Sequence, residues 1–124
     1  METNYQDQKK KAYAYFRVNK NDAATIKTKA FTLYDFINNS FYFSRTKKDL
    51  TMQVLMELRR QPQSFKQLQQ TLQLKKSTLY LLITSLEKSG LIEYEGKKSL
   101  LRTSKAFSEA LLEYANWWKN WVDE

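Results

Sequence analysis

Apolar positions recur along most of this chain at spacings of three and four, the period of an amphipathic helix. Ile26, Ala30, Leu33, Ile37 and Phe41 follow it after Asn21 or Asp22, either of which can cap, and predict a first helix over about 22–40. Phe31, Tyr34 and Phe36 lie on its other faces, so this helix needs more than one neighbour. A second stripe, Leu50, Val54, Leu55 and Leu58, opens at Thr46 or Asp49. It stops at Pro62, which lacks an N–H and clashes with the preceding turn. Ser64 begins a short third helix with Phe65, Leu68 and Leu72. After Leu74, Ser77 reads as the N-cap of a fourth, whose stripe is Leu79, Leu82, Ile83 and Leu86 as far as Lys88.

The period then changes. Gly90 stands where a helix ends in a left-handed residue. Leu91-Ile92-Glu93-Tyr94-Glu95 reads as a strand, Gly96-Lys97 as a turn, and Ser99-Leu100-Leu101-Arg102 as the return strand. Thr103 or Ser104 caps a last helix to about 122, where Phe107, Ala110, Leu111, Tyr114, Trp117, Trp118 and Trp121 crowd one broad face. At the other end, residues 1–11 are polar and close on Lys9, Lys10 and Lys11. Residues 11–18 alternate loosely, as a short strand or extended segment, with a helical reading also open. The expectation is a flexible basic arm over 1–20 and a single domain over 21–124, mainly α with a small β-hairpin.

Composition narrows the chemistry. Two glycines and one proline in 124 residues leave few tight turns and no glycine-rich phosphate loop. The absence of cysteine and histidine excludes disulfides, thiolate or imidazole metal sites, and nucleophilic triads that need either residue. Glu93 and Glu95 share a strand face, but a carboxylate pair without a pocket or metal partner is no catalytic site. No enzyme, metal or cofactor is expected. No apolar run approaches the roughly 20 residues that span a bilayer, and no secretory segment opens the chain, so the expected place is cytoplasmic and nucleoid-associated. The 21 Lys and Arg against 13 Asp and Glu give a net +8, which favours a polyanionic partner: DNA, RNA or an acidic membrane surface.

Three segments carry a resemblance: Ser64-Phe65-Lys66-Gln67-Leu68, then Leu74-Lys75-Lys76-Ser77-Thr78-Leu79-Tyr80, then Leu86-Glu87-Lys88-Ser89-Gly90-Leu91-Ile92. Over 64–102 the chain resembles the winged helix-turn-helix of MarR-like and PadR-like bacterial and archaeal regulators. In those families the middle segment opens the recognition helix, and the last ends it and turns into the wing. The resemblance implies a helix-turn-helix over about 64–89, a wing over about 91–102 and a C-terminal dimerisation helix over about 104–122. It also implies sequence-specific binding of double-stranded DNA by a homodimeric transcriptional regulator, a repressor, with no membrane partner.

The residues then take roles. A recognition helix fits the major groove and reads base edges there. The expected DNA-facing residues are Ser77, Thr78, Tyr80, Leu81, Thr84 and Ser85. With no arginine in this helix, bidentate readout of guanine is not expected, and A·T preference is. Arg45, Lys47, Lys48, Lys75, Lys76, Lys97, Lys98 and Arg102 are expected phosphate contacts, and Lys9 to Lys11 can track a groove or merely solubilise. A domain this small buries only about two-thirds of its unfolded surface. Ile26, Leu33, Ile37, Tyr114, Trp117, Trp118 and Trp121 are therefore assigned to a dimer interface. Two alternatives stand: a plasmid or viral partition or replication protein of the same fold, and a winged-helix protein–protein adaptor.

Overall fold

A computed structural model describes residues 14–96 and 99–124. The elements are α1 (Asp22–Lys27), α2 (Leu33–Ser40), α3 (Arg45–Arg60), β1 (Gln63–Ser64), α4 (Phe65–Leu72), α5 (Lys76–Ser89), β2 (Ile92–Glu95), β3 (Leu100–Thr103) and α6 (Ala106–Asp123). This is a mainly helical small domain with a three-stranded antiparallel sheet in the order β1-β3-β2. No helix among the described residues is long and apolar enough to cross a membrane.

The single helix expected over 22–40 is two helices. Lys29 turns left-handed at φ 61°, and Thr32 starts a new helix. Thr32 Oγ1 accepts from the Asp35 N–H at 3.2 Å, and Asp35 Oδ2 accepts from the Thr32 N–H at 3.0 Å. This reciprocal cap satisfies two donors that a continuous helix would bond differently. Apolar periodicity is blind to such a break, because both pieces keep the same stripe.

Caps elsewhere also differ from expectation. Ser44, not Thr46 or Asp49, caps α3, its Oγ accepting from the Lys47 N–H at 3.2 Å. Lys75, not Ser77, is the N-cap of α5, and no side chain caps it. Ser104 Oγ accepts from the Ala106 N–H at 3.0 Å, one residue ahead of the Lys105 N-cap of α6. Ser64 caps α4 as expected and forms a full capping box with Gln67. Pro62 lies just beyond the end of α3, as its missing donor requires.

β1 has only two residues, too few to leave a periodic signal in the sequence. It pairs Gln63 with Leu101 and Ser64 with Leu100, joining the hairpin to the end of α3. Gln63 is buried, and its amide donates to the Glu57 carboxylate at 2.9 Å and to the Glu57 carbonyl at 3.3 Å. Those hydrogen bonds, first from Gln63 and then from Arg60, hold the Glu57 carboxyl below its usual range.

The core lies between α2, α3, α4, α5 and the sheet: Ile37, Phe41, Val54, Leu58, Leu68, Leu79, Leu86, Ile92 and Leu101. A phenylalanine cluster extends it towards the N-terminal segment. Phe16 meets Phe41 at 5.3 Å and Phe107 at 5.0 Å, both edge-on, the arrangement ring quadrupoles favour. Residues 14–17 therefore are not part of an arm. Phe16 bridges Phe41 in antiparallel fashion, the Arg17 N–H donates to Ser40, and the Tyr42 N–H donates to Tyr15. Lys9, Lys10 and Lys11 lie outside the described residues.

Candidate functional site

The helix singled out by the sequence, α5, is positioned from both ends. At its start, Gln73 adopts the left-handed conformation at φ 55°, ends α4, and is followed by half-buried Leu74 and extended Lys75. At its end, Gly90 is left-handed at φ 83°; its N–H and that of Leu91 close on Glu87 and Leu86, each at 3.0 Å. Along one side, Leu79, Leu82, Ile83, Ser85 and Leu86 are buried. On the other, Ser77 and Thr78 are exposed, Tyr80 is 47% exposed and Leu81 44%. Exposed Lys75 and Lys76 stand at the N-terminal end of that face. The result is a rigid rod with hydroxyls, one phenol, one leucine and two ammonium groups on its outer side.

Two of the residues expected on this face behave otherwise. Ser85 is fully buried, and its Oγ accepts a hydrogen bond from Lys47 Nζ at 3.3 Å. Seven residues after Thr78 is nearly two full turns, so both side chains leave α5 on almost the same side; Ser85 is buried because α3 covers the helix at its third turn, where Lys47 reaches it, and not at its first. Thr84 is half-buried and returns its hydroxyl to the Tyr80 carbonyl at 2.8 Å. Thr84 thus stays beside the face, whereas Ser85 cannot reach a ligand there.

The cations divide in the same way. Lys47 turns inward, with its ammonium over the Phe43 ring at 4.1 Å, and partial burial lowers its pKa. Lys48 Nζ donates to the Asn38 carbonyl at 2.9 Å. Both are tied to the protein, which corrects their assignment as free phosphate contacts. Arg45 remains exposed; a hydrogen bond with Tyr34 holds its pKa above the ordinary value. Arg102 pairs across the hairpin with Glu93 at 2.9 Å, both partly exposed, a contact worth about 0–1 kcal/mol. Its charge is offset by that carboxylate. Lys97 and Lys98 lie outside the described residues.

Sequence reasoning missed Tyr94. It sits on β2, and its phenol is pushed up by burial first, then by the neighbouring Glu87 and Tyr80. Tyr80 therefore has the hairpin beside it. Only the docking of β2 on α5 brings these residues together, and no spacing in the sequence encodes that.

Comparison with protein-family models, with curated proteins and with solved structures yields no significant match. The geometry of this face is what a functional reading has to stand on.

The residues expected at a dimer interface separate too. Ile37 is fully buried and Leu33 packs half-buried against the core, so Ile37 is removed from that surface. Ile26 is 52% exposed on the short α1. Tyr114, Trp117, Trp118 and Trp121 are all more than half exposed on α6.

Proposed function

We propose that this chain is a winged helix-turn-helix protein that binds double-stranded DNA, with α5 as the recognition helix and the β2–β3 hairpin as the wing, and that it acts in transcriptional regulation. The observation that carries the reading is the outer face of α5. Lys75, Lys76, Ser77, Thr78, Tyr80 and Leu81 are exposed together on a helix whose opposite face is locked into the core. A helix held that rigidly, with cations at its N-terminal end, suits insertion into a major groove, where hydroxyls reach base edges or phosphates. The element order supports it: helix, short strand, helix, helix, hairpin, with β1 closing a three-stranded sheet. The net charge of +8 supplies the sequence-independent attraction.

Salt titration of binding to a labelled duplex tests this. Three to four phosphate contacts per chain, Lys75, Lys76 and Arg45 among them, give a log–log slope of about −3 to −4 per chain. Lys75→Ala and Lys76→Ala should each flatten it by about one unit and weaken binding on all sequences alike. Lys48→Ala, whose ammonium is bonded to Asn38, should leave the slope unchanged. Thr78→Ala should alter which sequences are selected from a random pool. A second reading, a protein–protein adaptor, is favoured by the adjacent exposure of Tyr80 and Leu81 on a helix without arginine. Absence of salt-dependent binding to any duplex would select it.

A further inference from the structure

The segment ahead of α1 builds a surface of its own. Phe16 and Phe41 form an antiparallel bridge, and the bonds on either side of it, Arg17 N–H to Ser40 and Tyr42 N–H to Tyr15, set Tyr15 directly opposite Tyr42. Successive side chains of an extended segment point to opposite faces, and opposed residues of an antiparallel pair share one. Phe16 and Phe41 turn to each other and to the phenylalanine cluster. Tyr15 and Tyr42 therefore face outward side by side, and they are 63% and 76% exposed. Arg17 shares their face by the same alternation. It is exposed, and its Nε donates to the Asn39 carbonyl at 2.8 Å, which pins the guanidinium by one donor and leaves the others. Three residues past Tyr42 stands Arg45, exposed at the start of α3 and hydrogen-bonded to Tyr34.

The chemistry of this patch limits its occupant. Residues 14–20 and 41–48 carry Arg17, Lys20, Arg45, Lys47 and Lys48 and no acidic residue. Lys47 and Lys48 are tied to the protein, which leaves Arg17, Lys20 and Arg45 for a polyanion; Asp49, one turn along α3, is the carboxylate that acts on Arg45. A phenol ring offers a π-face on which a nucleobase can stack, and a guanidinium beside it takes the phosphate. The bases of a duplex are stacked on one another and offer no face at its sides, whereas an unpaired strand does. An anionic bilayer would meet the cations, but interfacial docking draws on a broad apolar helix face, which an isolated bridge does not present.

We propose that Tyr15 and Tyr42, flanked by Arg17 and Arg45, form a stacking platform for the unpaired bases of single-stranded DNA, on a surface built without any residue of α5. One base lies on each ring, and the phosphates between and beside them meet the two guanidiniums. Such stacking is tolerant of sequence, because every base has a π-face, so the platform holds a strand without reading it. The choice of DNA over RNA rests on the reading of α5; the stacking itself does not.

Fluorescence anisotropy of a labelled oligothymidylate of about 12 nucleotides, titrated with the full chain at low salt, tests this. Tyr15→Ala and Tyr42→Ala should each weaken binding about 5-fold or more, the loss of one base–ring stack. Tyr42→Phe, which keeps the ring, should bind like the native chain. Arg17→Ala should flatten the log–log salt slope by about 0.7, the single-strand value per phosphate. Binding of a labelled duplex should be unchanged in the two tyrosine-to-alanine variants, so a failed platform and a failed reading of α5 show themselves separately. Urea midpoints check that the variants fold. Should either alanine variant misfold, Tyr15→Leu and Tyr42→Leu, which keep bulk without a π-face, take its place. Ring-less variants that bind oligothymidylate like the native chain overturn the proposal, as does a native chain that does not bind it at low salt. Equal losses from Tyr42→Phe and Tyr42→Ala would replace stacking by a hydroxyl contact. An oligouridylate held more tightly, with the same dependence on both rings, would overturn DNA as the strand. Phosphatidylserine vesicles released by the ring-less variants, with oligothymidylate binding intact, would assign the patch to lipid instead.

Discussion

Gly90 shows how much one residue can hold. Its φ of 83° is the left-handed region, where any Cβ is strained. A Cβ there would also lie 2.7 Å from the Phe107 nitrogen, whose N–H donates to the Gly90 carbonyl at 3.0 Å. One residue thus ends α5, starts the hairpin and supports the first turn of α6. Gly90→Ala should destabilise the domain by at least about 1–3 kcal/mol, from backbone strain and from displacement of α6. Urea unfolding at an unchanged m-value reads this as a lowered midpoint. A midpoint equal to that of the native chain would show that the close approach is easily relieved. The left-handed role is legible in the sequence from a lone glycine after a helical stripe. The clash with α6 is not, because it comes from a segment some seventeen residues away.

Between elements, the contact that orients α5 is polar. Lys47, in the first turn of α3, spans to Ser85 in the third turn of α5 and covers Phe43. The amphipathic stripes dictate that these helices pack, but a stripe permits sliding and rotation. A buried hydroxyl facing a part-buried ammonium does not. Burial lowers the Lys47 pKa from 10.5, so the charged form costs stability in the fold relative to the unfolded chain. That cost is present in full below the folded pKa. It is relieved as pH rises from the folded value towards 10.5, because the unfolded chain then binds the proton and the folded chain does not. The native chain should therefore gain stability relative to Lys47→Met through that window. Denaturant midpoints of both proteins at matched pH give the comparison, and parallel pH profiles would refute the desolvation. Sequence reasoning took Lys47 for a surface cation and Ser85 for a groove-facing hydroxyl. Each residue type is ordinarily exposed, and only the helix crossing places them inside.

At the scale of the whole molecule, the N-terminal segment is a structural part. Phe16 inserts among Phe36, Phe41 and Phe107 and so links the end of α2 to the base of α6. Phe16→Ala should cost about 2–3 kcal/mol, below the range for a fully buried ring because Phe16 is half-buried. It should also loosen the anchor from which α6 extends. Val18→Ala, two residues on and 80% exposed, should be close to neutral in the same thermal or urea melts. Equal, small effects from both would return this segment to an arm. Anchored in this way, α6 carries its tryptophans clear of the core.

The order of helices from α3 onward, the stop at Pro62, the helix start at Ser64 and the left-handed Gly90 were legible in the residues alone. Apolar period and backbone stereochemistry act within a few residues of one another, so a sequence displays them directly. The same local logic marks α6 as over-supplied with aromatic surface. Tertiary structure decided the rest. It broke the first helix at a Thr–Asp cap and added a two-residue strand. It drew Lys47, Lys48 and Ser85 inward, buried Ile37, and set Tyr94 beside Tyr80. These outcomes depend on which elements touch and at what rotation. A rotation of one residue about a helix moves a side chain by 100°, enough to exchange solvent for core without altering the stripe that predicted the helix.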